Sequence, residues 1–447
     1  MKIIHTSDWH LGQSFHGFDR RYFEYRKFFE QLFDTIEKDK ADALLISGDI
    51  FHNYNPSNED EKLLSEFLTE AVRRFPHLQI VATSGNHDGA SKLDAVAGYC
   101  DLCDRITVAG SLPVAVENKD GSLIKTLKTE DLIVPLHNAD GSLGAYVIAM
   151  PFIKWPETLT NLEVLEEQNF SEFENYINAL YEKALDEISK VNTDNLPVIA
   201  MGHFALSSKN QESYKNCNGE KFNPKVIGGE SCIHVPFLKK VAYGALGHIH
   251  TPMNVMDNTC YCGSPLAVNF GENFVHHLIE VSFENGAEAL IKEVELHNPV
   301  RLLRKDIKIT DADTFTRELE NFTNESGFSN TGEPKPLEER DFVQICIELP
   351  LEHKELLNQI RDVFKQFETE YCTHYRITPL KINLSRNGVI QDNSFVGKTA
   401  KELDPMEVFT QFYRQNRDGS EPDEKMMTLV SSYFEKVRAQ MANGEQD

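Results

Sequence analysis

Ala43-Leu44-Leu45-Ile46-Ser47-Gly48-Asp49 is the stretch whose reading decides the fold. Its apolar run is short and continuous, the pattern of a strand in a sheet covered on both faces. It ends beside a glycine and delivers an acid. The same arrangement recurs along the chain. Lys2 to Thr6 leads to Asp8-Trp9-His10, Gln79 to Ala82 leads to Gly85-Asn86-His87-Asp88, Pro197 to Met201 leads to Gly202-His203, and Val241 to Leu246 leads to Gly247-His248-Ile249-His250.

Between the first three strands the sequence reads as helix. Phe29, Leu32, Phe33 and Ile36 share one face of a helix expected over Tyr22 to Lys38. Leu63, Leu64, Phe67, Leu68 and Val72 do the same over Glu59 to Phe75, where Pro76 stops the helix. Strand and helix alternating in this way imply a parallel sheet with right-handed crossovers. The pattern then changes. Asn118-Lys-Asp-Gly-Ser-Leu123 and Asn138-Ala-Asp-Gly-Ser-Leu143 are similar turns between strand-like flanks. Asp-Gly there predicts type I′ hairpins and a meander at the edge of a second sheet.

A helix is expected over Ser171 to Val191, a loop over Ser207 to Gly229 and a late strand over His276 to Phe283 that closes the domain at about residue 298. Residues 299–386 read as a small α/β module carrying no catalytic constellation. Residues 400–442 read as terminal helices, with Met426, Val430, Tyr433, Val437 and Met441 forming one amphipathic stripe. A chain of 447 residues is too long for one ordinary core, in keeping with this division into 1–298, 299–386 and 400–442.

Composition narrows the function. The longest apolar runs stop far short of the ~20 residues of a membrane span, and Met1-Lys2-Ile3-Ile4-His5 enters a strand pattern without a secretory signal core, so a cytosolic protein without membrane contact is expected. The eight scattered cysteines argue for reduced thiols. A net charge of −25 excludes bulk attraction to polyanions. Arg20, Arg21, Arg26, Lys27, Arg73 and Arg74 are the nearest basic candidates, although solvated helix faces explain most such pairs.

The strand ends together offer two carboxylates, Asp8 and Asp49, the amide oxygen of Asn86, and the imidazoles of His10, His203, His248 and His250. Imidazoles and carboxylates without thiolates suit manganese, iron or zinc better than copper or magnesium alone. Asp49, at the end of a central strand, is the natural bridge between two ions. Asp8, His10 and one of His248 and His250 complete one ion; Asn86, His203 and the other histidine complete the second. Two such ions support hydrolysis of a phosphoester. His87, beside a ligand and with Asp88 to orient it, is a candidate general acid. His52 is a candidate phosphate contact. Taken singly each motif is common by chance; five in this order, each after a buried-strand pattern, are not. The remaining histidines lack such context and read as structural.

These residues resemble the signature of the calcineurin-like metallophosphoesterases. His5-Thr-Ser-Asp-Trp-His-Leu-Gly12, Gly48-Asp-Ile-Phe-His52 and Gly247-His-Ile-His250 resemble more narrowly the branch of nuclease subunits that work with an SbcC-type ATPase. The resemblance covers residues 1 to about 285. It implies an α/β fold (α+β in four layers), a two-sheet β-sandwich flanked by helices. It implies Asp8, His10, Asp49 and His250 on one manganese, Asp49, Asn86, His203 and His248 on a second, His87 as the catalytic histidine and His52 near the scissile phosphate. It also implies exonuclease and endonuclease activity on DNA, a DNA-capping role for 299–386, partner-binding helices at 400–442, a homodimer within a heterotetramer, and a cytoplasmic, nucleoid-associated location. The hairpin insert at 117–145 and the acidity depart from it. A phosphomonoesterase or cyclic-nucleotide phosphodiesterase using the same site, or a non-catalytic scaffold, are the competing readings.

Overall fold

The computed structural model describes residues 1–385 except 16, 101–102, 120–121, 155–172, 207–213, 217–220, 223–232, 273 and 285–287, and beyond 385 only Met426, Met427 and Val430. The chain divides into two compact units, Met1–Glu348 with Glu355–Asn383, and Leu349–Lys354 with Leu384–Asp447. The helices expected at 400–442 lie outside the described residues apart from those three, which are helical.

The first unit begins with β1 (Lys2–Thr6), the short pair β2 (Ser14–Phe15) and β3 (Phe18–Arg20), α1 (Tyr22–Asp39), β4 (Ala43–Ser47), α2 (Asn58–Arg74), β5 (Gln79–Thr83), α3 (Ala90–Cys100) and β6 (Ile106–Ala109). Then come β7 (Val114–Lys119), β8 (Ser122–Leu127), β9 (Ile133–His137), β10 (Leu143–Ala149), α4 (Phe173–Val191), β11 (Val198–His203), β12 (Tyr214–Asn216), β13 (Lys221–Phe222), β14 (Tyr243–Gly247), β15 (Met253–Met256), β16 (Thr259–Tyr261), β17 (His277–Phe283) and β18 (Ala289–Glu295).

β1, β4, β5 and β6 are parallel neighbours, and β17 and β18 extend the sheet antiparallel beyond β1 to give the six-stranded order β18-β17-β1-β4-β5-β6. The second sheet has eight strands in the order β13-β12-β15-β16-β14-β11-β10-β9. Alternation along each strand builds the layers. Ile3, Leu45, Val81 and Ile279 of the first sheet meet Val147, Ile199, Met201 and Tyr243 of the second. The opposite faces are covered by helices. Ile4, Leu44, Ile46 and Ile80 pack under Phe28, Leu32 and Phe33 of α1 and Leu64 and Phe67 of α2. Tyr146, Ile148 and Ala200 pack under Ile177, Leu180 and Ala184 of α4. This is the four-layered α/β sandwich expected.

Local readings change in three places. Only β9 and β10 lie at the edge of the second sheet; β7 and β8 form a separate two-stranded ribbon. At the second Asp-Gly, Gly141 has φ +84 while Asp140 is not among the positive-φ residues, so the turn is not type I′. Gly141 N donates to Asn138 O and Asn138 N to Ser142 O, a tight turn with glycine alone in the left-handed region. The stretch expected as loop over Ser207 to Gly229 contributes β12, which pairs onto β15, and β13, which pairs onto β12 at the other edge of the sheet.

The later module has β19 (Leu302–Lys308), α5 (Thr314–Glu325), β20 (Asp341–Pro350), α6 (Leu357–Tyr371), β21 (Tyr375–Ile377) and β22 (Lys381–Ser385), with β20 parallel to both β19 and β21. It is fastened to the loop that leaves the first ligand pair. Phe15, Phe270, Val300 and Phe342 form one apolar cluster, and the Arg376 guanidinium stacks 3.5 Å from the centre of the Phe342 ring. Beside it Arg21 pairs with Glu24, and Glu24 Oε1 lies 3.6 Å from Arg376. These three side chains are buried, at 3%, 1% and 4% exposure for Arg21, Glu24 and Arg376. Burial, with Arg21 adding to it, lowers the Arg376 pKa to about 10 despite Glu24.

Glu24 is thus the shared counter-charge of two buried cations. Glu24→Ala is expected to cost about 3 to 5 kcal/mol, because it strands both. Replacing the set, Arg21→Met with Glu24→Leu and Arg376→Met, removes the charges and should cost less. Denaturant melts of the two variants check this; a triple variant no more stable than Glu24→Ala contradicts it.

Candidate metal centre

The ligand-type residues lie just past the carboxyl ends of parallel strands: Asp8 and His10 past β1, Asp49 past β4, Asn86 past β5, His203 at the end of β11, and His248 and His250 past β14. The two glycines that precede an acid and a histidine are there for space. Gly48, at φ +83, leaves no room for a Cβ against the His203 ring, and a Cβ on Gly247 would run into the Ser47 carbonyl.

The backbone is strained at the same points. Among the described residues six non-glycines have positive φ, and four of them are Asp8 (53°), His10 (51°), Asp49 (50°) and His248 (93°). Such conformations cost free energy and persist only where the surroundings enforce them. Here the enforcement is visible. Asp8 N donates to Gly48 O (3.0 Å), His10 N to Asp49 O (2.9 Å) and Leu11 N to Ile50 O (2.9 Å), so the two strand-end loops are zipped together.

All seven expected side chains converge. His10 Nε2 lies 3.0 Å from His250 Nε2, His203 Nε2 3.0 Å from Asn86 Oδ1, and His248 Nδ1 3.1 Å from Asn86 Oδ1. Asp49 Oδ2 stands between the halves, 3.5 Å from His10 Nε2 and 3.4 Å from His203 Nε2. Asp8 Oδ1 lies 3.8 Å from His250 Nε2, and the Asp8 carboxylate accepts from His248 N (3.1 and 3.2 Å). Asp8, His10, Asp49 and His250 bring one ligand atom each within 4.8 Å of one another.

The lone pairs explain what this cluster accommodates. His203 Nδ1 donates to Ser47 O (2.9 Å), so in the neutral ring Nε2 turns a lone pair toward Asn86 Oδ1. Two acceptors at that distance repel unless a proton or a cation lies between them. Ions held about 2.0 to 2.2 Å from nitrogen and oxygen donors place adjacent donors about 2.9 to 3.5 Å apart, the spacing found here. The donor set therefore fits divalent ions in both halves.

Without an ion the charges rearrange. Burial works against the Asp49 carboxylate, but His203 and His10 outweigh it and hold its pKa far below the usual range. Burial likewise opposes a charged His203, and Asp49 and Asp8 overcome it, raising its pKa to about 10. Burial lowers His248 to about 3 and His10 well below the ordinary value, so those rings are neutral and ready to donate lone pairs.

His87 stands at the side of the centre. Its ring is 4.9 Å from that of His10, edge to face, and stacks on that of His52 at 5.6 Å. The expectation that Asp88 orients it is corrected. The Asp88 carboxylate accepts from Gly85 N (2.8 Å), Ile50 N (3.1 Å) and Phe51 N (2.7 Å), bracing the two loops. His87 is instead held by Nδ1–H donating to the His52 carbonyl (2.9 Å), and its backbone N donates to Asp49 Oδ1 (2.8 Å). Sequence reasoning missed the supports around the ligands. Ser7 hydrogen-bonds the Asp8 carboxylate, Tyr25 OH donates to His10 O (2.5 Å), and the Phe152 ring abuts that of His203. Only Ser7, adjacent to Asp8, carried a signal in the sequence.

The family model for calcineurin-like phosphoesterases matches residues 1–252. The SbcD subunit of the SbcCD nuclease of Rhodobacter capsulatus is 31% identical, with 68% of this chain and 71% of that protein covered. The SbcD proteins of Escherichia coli K12 (26%, covering 69% and 72%) and Bacillus subtilis (28%, covering 68% and 72%) also match.

Because its folded pKa is raised, His203 stabilises the ion-free protein fully below about pH 6.5, the ordinary imidazole value, and loses that contribution as pH rises toward 10. A cation takes the place of its proton. Calorimetry of manganese binding at pH 8, in buffers of different ionisation enthalpy, is expected to show release of at least one proton, with the release fading above pH 10. Binding at pH 8 without proton release contradicts the assignment.

Proposed function

The chain belongs to the calcineurin-like phosphoesterase family and, within it, to the nucleases of the SbcD type, and on that premise we propose that it is a dimanganese DNA nuclease working with an SbcC-type ATPase in DNA end processing. The observation that carries the reading is the pair of facing lone-pair clusters joined by Asp49 Oδ2. Asp8, His10, Asp49 and His250 hold one ion in this proposal, and Asp49, Asn86, His203 and His248 the other. Two such ions, when bound, supply Lewis acidity toward a phosphodiester.

The chain's own residues then do the rest. Asp49 fixes the spacing of the halves, and Asp88 braces the loops that carry Asp49 and Asn86. His87 Nδ1–H is committed to the His52 carbonyl, which leaves Nε2 as the nitrogen through which the ring exchanges a proton with a leaving oxygen in this proposal. His52, stacked on His87, contacts the same phosphate in this reading.

Grip on DNA is assigned largely to partners. Of the basic candidates in the sequence, Arg26 pairs with Glu66 (3.4 Å), Lys27 with Glu30 (2.8 Å), Arg73 with Glu70 (2.6 Å) and Arg74 with Glu37 (3.3 Å), while Arg21 is buried against Glu24. Little uncompensated positive surface remains among these, in keeping with the net charge of −25. We assign residues 1–298 to catalysis, 299–386 to capping DNA and 400–442 to the ATPase, in a cytoplasmic homodimer within a heterotetramer. No helix among the described residues is long and apolar enough to cross a membrane.

Two experiments test this. With manganese, the chain is expected to cut hairpin and double-stranded DNA, more strongly with its ATPase partner. Turnover of p-nitrophenyl phosphate esters with no cleavage of DNA points instead to a small-substrate phosphoesterase. His87→Asn should keep both ions, measured by elemental analysis, while losing about 10²- to 10⁴-fold in cleavage rate. Loss of an ion in that variant would refute the proton-donor role.

A further inference from the structure

We propose that Tyr54 is a stacking platform for an unpaired nucleobase beside the scissile phosphate, with Lys154 flanking it; this rests on the nuclease reading above. Tyr54 is 52% exposed and is the one aromatic among the large exposed hydrophobic residues described. A single exposed tyrosine is ordinary on a surface. Its mounting is not. The ring sits two residues beyond His52, whose carbonyl holds His87.

The turn beneath it is anchored at both ends. On one side Phe51 N donates to Asp88 Oδ1 (2.7 Å) and His52 N to Leu11 O (3.0 Å). On the other, Ser57 caps α2 reciprocally with Asp60. Gly89, just past His87 and Asp88, packs so closely on the Tyr54 carbonyl that a Cβ there would overlap it. The backbone is therefore fixed while the ring faces solvent, an arrangement that adds little to folding but lowers the entropy cost of binding a flat partner.

The chemistry selects the partner. Lys154 Nζ lies 5.9 Å from the centre of the Tyr54 ring. It follows Phe152, whose N donates to Ser84 O and Oγ (both 3.1 Å), next to Gly85 and Asn86. An exposed aromatic face with a cation set against it, at the rim of a phosphodiesterase centre, matches a nucleobase stacked on the ring. A base inside a duplex offers no free face, so the ligand is a frayed end, a hairpin loop or a single-stranded flap.

The test compares full chain and manganese on hairpins whose loop base next to the cut is present or replaced by an abasic site. Removing that base is expected to lower kcat/KM of the wild type on the order of tenfold, the scale of one stacked base. In Tyr54→Ala the intact hairpin should fall to the abasic level, with no further loss on removing the base. Tyr54→Phe and Tyr54→Trp should restore the dependence, since stacking needs the ring and not the hydroxyl. If Tyr54→Ala lowers turnover equally on both hairpins and on bis(p-nitrophenyl) phosphate, Tyr54 only holds the loop, and the platform is overturned. If Tyr54→Ala keeps the wild-type dependence on the base, it is overturned as well. A wild type that hydrolyses the small ester but cuts neither hairpin rejects the nuclease reading itself, and the platform with it.

Discussion

The carboxylate of Asp49 is the point on which the structure turns. One oxygen receives the His87 backbone amide, and the other faces both His10 and His203, residues that arrive from different sheets. That geometry exists only if β4 lies centrally in its sheet and the ends of β11 and β14 are brought over it. The apolar layer between the sheets, with Leu45 and Val81 against Ile199 and Met201, is what fixes that approach. Close-packed interiors deform little, so a sandwich core can hold donors to the few tenths of an ångström that ion binding requires.

This placement is costly to the fold. Four ligand-type residues sit at positive φ, the ring nitrogens of His10 and His250 face one another at 3.0 Å, and Asp8 is buried with its pKa raised by desolvation. None of these arrangements favours the ion-free state. They are tolerated because the loops bearing them are cross-braced by Asp88 and by the strand-end hydrogen bonds, and because large apolar layers on either side carry the stability. A cation relieves the lone-pair conflicts directly. Strain and donor convergence at one place therefore have one explanation.

Much of this was legible in the residues. Continuous apolar runs ending on Gly48, Gly202 and Gly247 marked buried parallel strands, and strand ends are where a sheet gathers side chains. The ligand inventory followed from chemistry alone. What stayed hidden depends on contacts between segments far apart in sequence. Asp88 looks like a partner for its neighbour His87, yet its carboxylate is occupied by the amides of Ile50 and Phe51, which no local pattern announces. Asp140-Gly141 has the composition of a type I′ turn, but only the glycine adopts positive φ. β12 and β13 are too short to show periodicity, and the pairing of β12 onto β15 and of β13 onto β12 makes them strands.

Charge raises the sharpest physical question, because an acidic chain is poorly suited to a polyanion. Arg26 and Lys27 of α1 and Arg73 and Arg74 of α2 are paired with nearby acids, and the buried Arg21 and Arg376 are spent on Glu24. A further source of positive charge is the centre itself. Its two carboxylates do not balance two divalent ions, so in the proposed loaded state it carries net positive charge, walled by apolar layers that screen little. A strongly acidic chain with a positively charged centre favours a phosphate delivered singly over a duplex laid along the protein. Delivery of that kind suits ends and loops, where one phosphate can be presented without its neighbours, and leaves the bulk of the duplex to be held by another chain.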